Sequence, residues 1–166
     1  MSILSCQLDA NEDVNARDVL PDWFVFQSIT GGRALPAAIE LLCEAGAPGC
    51  DVREGLGDGL VFALTDPAAI LSDTHVAAAL VLPVADSDGD TMLVFPAVAG
   101  AYRGQGMLAR LLDPVANALR ARDVRRLVLR LGPDDHAPGF DLQRTGWVCS
   151  PSAPVREPGT WFELEL

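Results

Sequence analysis

The sequence predicts one mixed α/β domain whose central sheet is mostly antiparallel and is flanked by helices. Seven short stretches are rich in apolar, β-branched and aromatic residues and are separated by turn sequences, which is typical of strands. Two other stretches, residues 34–45 and the one that begins at Gly104, carry apolar residues at helical spacing. The strands before Gly104 are joined as hairpins, so we do not expect a parallel, doubly wound sheet.

The chain length fits a single domain with its own core, since 166 residues is an ordinary domain size. Residues 1–22 are polar and acidic and are predicted to form an amino-terminal arm, so the domain spans residues 23–166. The amino terminus lacks a basic start, and no apolar run reaches the roughly 18–20 residues of a membrane span. We therefore expect a soluble, cytoplasmic protein without a membrane partner.

One predicted strand contains a proline. Pro96 cannot donate a hydrogen bond to a strand ladder, so we expect a bulge or a split there, with the sheet splayed after Val98. The turn sequence ADSDGD predicts a hairpin just before this strand, and residues 132–146 are predicted as a loop with at most a short helix. The predicted strands are residues 23–29, 60–65, 75–84, 91–98, 125–131, 147–150 and 160–166.

The helix that begins at Gly104 is strongly amphipathic. Pro114 interrupts it, so the helix either kinks there or restarts with Asp113 as its cap. Because the apolar face continues in phase past the proline, we favour the kink. The residues predicted to face the core are Met107, Leu108, Leu111, Leu112, Val115, Ala116 and Leu119.

The net charge of −11 limits the kinds of partner. An acidic chain is a poor binder of nucleic acid and suits cationic small molecules or basic peptides. All twelve cationic residues are arginine, so lysine Schiff-base chemistry is excluded. The composition itself has a plainer explanation in a GC-rich genome or a salt-adapted host. The sequence is compatible with a homodimer and does not fix the oligomeric state.

Cysteines and histidines are scattered without the spacing of a metal site. We expect no bound metal and reduced, mostly buried thiols, with Cys149 buried and inert. The residues are Cys6, Cys43, Cys50, Cys149, His75 and His136.

The segment AYRGQGMLARLL, residues 101–112, indicates a site for an anion. A helix begins here, and the first N–H groups of a helix lack partners and carry the positive end of its dipole. Gly104 and Gly106 remove side chains from the approach, and Arg103 adds a cation suited to phosphate. Two other interpretations stay open. The glycines allow a turn that packs helix against sheet, and the spacing formally fits the dinucleotide pattern G-x-G-x-x-A, although a dinucleotide fold needs further βαβ units.

The longer segment AVAGAYRGQGMLARLL resembles the acyl-CoA signature of the GNAT N-acetyltransferase superfamily, R/Q-x-x-G-x-G/A. Arg103 and Gly106 match this signature, whereas Leu108 stands where a small residue is preferred. The segment GFDLQRTGWV resembles a later stretch of the family, and the order of predicted elements agrees over residues 23–166.

This resemblance implies a GNAT-like fold and the transfer of an acetyl group from acetyl-CoA to a small-molecule or peptide amine by direct attack. It places the pyrophosphate on the backbone amides of the 103–108 loop and the pantetheine arm beside the preceding strand. The acidic composition points towards polyamines, aminoglycosides or basic peptide amino termini as acceptors. The implied acyl-CoA-binding residues are Ala97, Val98, Arg103, Gly104, Gln105, Gly106, Met107 and Leu108.

The chain departs from the family at the expected general acid. Many family members have a tyrosine four residues before a G-F dipeptide, and counting back from residues 146–147 gives Leu142. The only tyrosine is Tyr102, which lies beside the glycine-rich segment. His136 and Cys149 have side chains that can carry a proton, but nothing else in the sequence assigns them this role. The catalytic residues therefore stay unassigned. A second hypothesis is a non-catalytic GNAT-like domain that binds CoA or acts as a regulatory or interaction module.

Overall fold

The computed structural model of the chain contains seven strands and two main helices in its described part. The described residues are 24–32, 34–45, 59–67, 75–85, 87–131, 142–150 and 160–166. The strands are β1 Val25–Ile29, β2 Leu60–Thr65, β3 His75–Pro83, β4 Thr91–Val98, β5 Arg126–Leu131, β6 Val148–Cys149 and β7 Thr160–Glu165. The helices are α1 Ala34–Glu44 and α2 Met107–Arg120.

All seven strands lie in one sheet with the order β1-β2-β3-β4-β5-β7-β6. Every neighbouring pair is antiparallel except β4 and β5, which are parallel. The predicted mixed α/β fold with a mostly antiparallel sheet is confirmed. The predicted hairpin between β3 and β4 is also confirmed, with Pro83 opposite Met92 at its closed end.

Helices cover both sides of the central strands, which explains the unbroken apolar run of β3. Successive side chains point to opposite sides of a strand. Ala77, Ala79 and Val81 lie in the core beneath α2, and this side of the sheet is the α2 face. Ala78 and Leu80 lie in the core beneath α1, and that side is the α1 face. The small alanines leave room for both helices to approach the sheet closely.

Helix α2 follows its predicted pattern but begins later. It starts at Met107 and not at Gly104, because Gly104 and Gly106 have φ values of +75° and +74°, outside the right-handed helical region. The helix is continuous through Pro114, so it does not restart at Asp113. The seven residues predicted to face the core are the seven buried residues of α2.

The sheet splits between its two parallel strands. The ladder between β4 and β5 ends at Val94 and Leu129. Beyond that point β4 stays paired with β3 as far as Val98. Strand β5 stays paired with β7 as far as Leu131. The two strands thus belong to the same sheet at one end and border a gap at the other.

Pro96 explains where the split begins. The N–H of Ala99 donates to the carbonyl of Val76 at 2.9 Å, and alternation along β4 then turns the backbone groups of Val98 and Pro96 towards β5. Proline has no N–H, so the ladder cannot continue past Val94. The predicted split is therefore found, but it begins after Val94 and not after Val98. The register between β3 and β4 stays regular through Pro96, so there is no bulge there.

A buried histidine fixes the start of α1 to the sheet. His75 is 5% exposed, and its Nε2 lies 2.8 Å from the carbonyl oxygen of Ala34. Its Nδ1 lies 3.2 Å from the hydroxyl of Thr65, which also accepts a hydrogen bond from Gln27 at 3.1 Å. Since a carbonyl only accepts, Nε2 carries a proton here. His75 is therefore a structural residue.

Several predictions lie outside the described residues. These are the arm at 1–22, the turn before β2 and the loop residues 132–141, including His136. In the segment predicted to contain at most a short helix, one helical turn covers residues 142–144. Neither α1 nor α2 has the length and apolar character that a membrane span requires.

Candidate functional site

The loop between β4 and α2 is tightly folded around its own hydrogen bonds. A 3-10 turn covers Gly100–Tyr102, and the N–H of Tyr102 donates to the carbonyl of Ala99 at 2.9 Å. The Nε of Arg103 donates to the carbonyl of Val98 at 3.2 Å, which ties the loop to the end of β4. Gln105 donates through its amide to the carbonyl of Ala101 at 3.1 Å. We call residues 99–106 the β4–α2 loop.

The two glycines of the β4–α2 loop are required by backbone conformation. Gly104 and Gly106 have positive φ, a region that side chains disfavour. A Cβ built at either position meets no atom of the described residues within 4 Å, apart from its own chain neighbours. Close packing of helix against sheet is therefore not the reason for these glycines, which corrects one of the interpretations drawn from the sequence. The space beside them is open.

The start of α2 is an electropositive surface. Gly106 is the N-cap and has no side chain, so the N-cap residue leaves the first N–H groups of the helix without a side-chain cap. Arg103, Gly104 and Gln105 are exposed beside these groups, so a cation and the positive end of the helix dipole meet here. Backbone N–H groups together with a guanidinium are a suitable site for a phosphate-type anion.

Six of the eight predicted acyl-CoA-binding residues lie in the β4–α2 loop and at the start of α2. Arg103, Gly104, Gln105 and Gly106 present side chains or backbone to the open space, whereas Met107 and Leu108 bury their side chains and offer only backbone N–H groups.

The other two predicted residues border the split. Val98 turns its backbone towards the gap, and Ala97 is buried on the α1 face. The hydrogen bond between Arg103 and Val98 joins the split and the loop into one surface.

Solved structures match the chain although no protein-family model and no curated protein matches it. A GNAT family acetyltransferase from Elizabethkingia anophelis, solved with acetyl-CoA bound, has a TM-score of 0.66 and 18% identity over 88% of this chain and 100% of that one. The IAA acetyltransferase from Bacillus cereus has a TM-score of 0.65 and 14% identity over 86% of this chain and 99% of that one. The ribosomal-protein-S18-alanine N-acetyltransferase from Escherichia coli has a TM-score of 0.62 and 22% identity over 86% and 93%.

The chain has the GNAT acyltransferase fold. The likeness extends over nearly the whole of each matched structure, and it agrees with the mixed sheet flanked by helices. The dinucleotide interpretation of the glycine motif is therefore wrong, because that fold is built on a parallel, doubly wound sheet.

The position of the expected tyrosine of the GNAT resemblance is filled by a core residue. Leu142 is 1% exposed and packs in the α2-face core. Its carbonyl accepts from the N–H groups of Thr145 and Trp147 at 3.0 and 3.1 Å, closing a tight turn around Gly146. Cys149 is exposed, which corrects the prediction that it is buried: β6 has only two residues and lies at the edge of the sheet.

A side chain at the split and its neighbour across the strands were not identified from the sequence. Arg130 lies on β5 directly opposite Trp161 on β7, just past the last residue of β5 that pairs with β4. The available signal was an arginine inside the otherwise apolar strand sequence LVLRL. Its neighbours could not be read from the sequence, because they depend on long-range strand register. Among the described residues, no group of histidines, cysteines and carboxylates could hold a metal ion.

Proposed function

We propose that this protein is an N-acyltransferase that transfers an acetyl group from acetyl-CoA to an amine. The observation that carries the proposal is the joining of two features on one surface, the split after Val94 and the electropositive β4–α2 loop. A split of this kind offers a slot for an extended arm, and the loop offers a site for the diphosphate at the end of that arm. The Elizabethkingia structure, with the same fold, was solved with acetyl-CoA bound.

The donor is proposed to bind through backbone groups more than through side chains. The diphosphate is held by the N–H groups of residues 103–108, with the guanidinium of Arg103 beside it. The pantetheine arm enters the split and runs beside Ala97 and Val98, where Val98 turns its N–H and carbonyl to the gap. The amides of an extended arm pair with such strand-edge groups as a neighbouring strand would.

The reaction is a direct transfer in which every atom is accounted for. The ammonium loses one proton to water, and the amine lone pair attacks the thioester carbonyl carbon. The carbon–sulfur bond breaks as the carbon–nitrogen bond forms, and the thiolate takes up the second proton of the nitrogen. The products are an N-acetylated amine, CoA and one proton. Because a thiol has a pKa near 8.5, the thiolate is an adequate leaving group without a strong acid.

A second candidate function is a GNAT-like module that binds CoA without turnover. The observation that favours it is Leu142, a buried leucine where the resemblance places a tyrosine acid. The amine acceptor distinguishes the two candidates, because only an enzyme consumes it.

Release of CoA from acetyl-CoA across a panel of amines tests the proposal. The panel includes polyamines, aminoglycosides, amino acids and peptides with free amino termini. Because the exposed thiol of Cys149 is accessible to thiol reagents, the acetylated amine is quantified by mass spectrometry, or the assay uses Cys149→Ser. An acetylated product that requires the protein supports the enzyme. Binding of acetyl-CoA without product from any amine supports the module.

A further inference from the structure

Beyond Val94, strand β4 turns three backbone groups towards the gap. The N–H of Ala99 donates to the carbonyl of Val76 on β3, so the alternate residues Val98 and Pro96 direct their backbone groups away from β3 and towards β5. The ladder with β5 stops at Val94, and proline has no N–H. The gap-facing groups are therefore the carbonyls of Pro96 and Val98 and the N–H of Val98.

One of these groups has a partner from the β4–α2 loop. The Nε of Arg103 donates to the carbonyl of Val98 at 3.2 Å, so the guanidinium lies at the mouth of the gap. Arg103 is exposed, and no carboxylate of the described residues forms an ion pair with it. The single hydrogen bond to Val98 is a weak restraint on an exposed side chain, so a stronger acceptor could draw the guanidinium away.

An extended pantetheine arm needs the same carbonyl. The arm is proposed to lie beside β4 as a neighbouring strand would, with its amide N–H groups paired to gap-facing carbonyls. A strand carbonyl pairs with one N–H of the next strand, so the arm and the Nε of Arg103 compete for Val98. An amide N–H that enters the gap without an acceptor is unfavourable. The arm therefore binds best when Arg103 has left Val98.

A diphosphate is a stronger partner for Arg103 than a neutral carbonyl. A hydrogen bond between a guanidinium and a phosphate is charge-assisted on both sides and about twice as strong as one between neutral groups. The proposed diphosphate site is built from backbone N–H groups of residues 103–108, so Arg103 can turn to it within its own loop. Diphosphate binding and release of the Val98 carbonyl are thus linked through one side chain.

We propose that Arg103 makes the gap selective for donors that carry a diphosphate. The inference rests on the proposed function and names the part of the donor that opens the gap to the arm. With a diphosphate bound, the guanidinium moves to the phosphate oxygens and releases the Val98 carbonyl to the arm. Without one, the guanidinium stays on Val98, and a thioester that ends at the pantetheine arm meets an occupied acceptor.

Pantetheine and inorganic pyrophosphate, added as separate molecules and followed by NMR titration, test the inference. Pyrophosphate should tighten pantetheine binding to the wild type by about two- to tenfold, the worth of one hydrogen bond. Coupling between sites is reciprocal, so pantetheine should tighten pyrophosphate binding by the same factor. Sodium chloride at equal ionic strength is the control. If Arg103 kept its bond to Val98 while it bound phosphate, the two ligands would bind independently, and that result would overturn the inference.

Substitution of Arg103 assigns the coupling to its residue. Arg103→Ala should bind pantetheine alone about two- to tenfold more tightly than the wild type does, because the Val98 carbonyl is free, and pyrophosphate should no longer affect it. Acetyl-CoA should bind this variant more weakly, so the substitution moves the two affinities in opposite directions. Arg122→Ala, exposed beyond α2, should leave both affinities and the coupling unchanged.

Thermal melts check that both arginine variants are folded. A folded Arg103→Ala that binds pantetheine no better than the wild type contradicts the assignment. Pantetheine that binds neither Arg103→Ala nor the wild type with pyrophosphate also overturns the inference.

The outcome is separable from that of the proposed function. The titrations use no amine, so a module that binds CoA without turnover shows the same coupling if the inference holds. If the protein is an enzyme, it should acetylate an amine much faster from acetyl-CoA than from S-acetylpantetheine at equal concentration. Equal use of the two donors would overturn the selectivity and leave the acyltransferase proposal standing.

Discussion

At Gly106 the lack of a side chain affects both the backbone conformation and the space available to a ligand. Its φ of +74° is the reason why glycine is needed, and among the described residues only its chain neighbours come within 4 Å of a built Cβ, which leaves space beside it. A side chain here therefore affects folding through the backbone, and it affects a ligand through the space it fills. Because the two effects separate, they can be measured separately.

Gly106→Ala should lower the free energy of unfolding by about 1 kcal/mol, because a Cβ is disfavoured at positive φ. Gly106→Asn should be milder in stability, since asparagine tolerates this region better. Both should weaken acetyl-CoA binding, Asn at least as much as Ala. Gly31→Ala is the control, because it adds a Cβ in open space where φ is not positive. Chemical denaturation and calorimetric titration give the two quantities, and an unchanged affinity in both Gly106 variants would remove the loop from the donor site.

Glu163 has a lowered pKa that links pH to stability. The hydrogen bond from Ser150 is the largest cause, burial acts in the opposite direction, and the hydrogen bond and charge of Arg126 lower the pKa further. A carboxyl whose pKa is lower in the folded state stabilises the fold above its unfolded pKa. This contribution is lost as the pH falls through the folded pKa.

The pKa of Glu163, followed by NMR titration, should therefore lie below its ordinary value, and both Ser150→Ala and Arg126→Gln should raise it. Stability measured from neutral to acidic pH should fall less steeply in Glu163→Gln than in the wild type. A Glu163 pKa at or above the ordinary value would show that burial outweighs both partners.

Helix α2 is the element in which sequence and structure agree most closely. Its buried face was predicted residue by residue, because a 3.6-residue period and local spacing determine which side chains lie together. Its start was predicted three residues too early, because glycine is compatible with both signs of φ and the sequence does not distinguish them.

Pro114 should reduce the stability of α2. It lies in the interior of the helix and has no N–H to donate to the carbonyl of Arg110. Pro114→Ala should raise the free energy of unfolding by about 1–3 kcal/mol. The substitution removes the penalty of an interior proline, and part of that gain is offset because alanine makes the unfolded chain more flexible. The exposed Asn117→Ala is the control and should change stability by a few tenths of a kcal/mol. A destabilised Pro114→Ala would mean that the proline ring contributes packing that outweighs the missing hydrogen bond.

The strands show a different limit of prediction. All seven were located from apolar runs and turn sequences, and Pro96 indicated a split because its effect is local. The point at which the split begins depends on which residues of β4 turn their N–H and carbonyl groups towards β5. This follows from the register between β4 and β3. The pairing of Arg130 with Trp161 likewise joins residues distant in sequence, so no local pattern could predict it.

At the scale of the whole molecule, the split lies between two faces of the sheet, to which we assign different roles. The β4–α2 loop leads into α2, which packs on one face, and we propose that the donor binds from this direction. Helix α1 packs on the opposite face, from which we propose that the acceptor enters. The thioester and the amine would then meet in the gap after Val94, and the acetyl group would pass directly to the amine without a covalent intermediate on the protein.

Titration of acetyl-CoA against the wild type, Arg103→Ala and the control Arg122→Ala tests the central claim most directly. Both arginines are exposed, but Arg103 lies in the β4–α2 loop and Arg122 follows the far end of α2. The account predicts that the wild type and Arg122→Ala bind alike. It predicts that Arg103→Ala binds about three- to tenfold more weakly and with a smaller dependence on salt. The substitution removes the one guanidinium proposed to face the diphosphate, while the backbone N–H groups remain. Absence of acetyl-CoA binding by the wild type, or equal weakening by both substitutions, would contradict it.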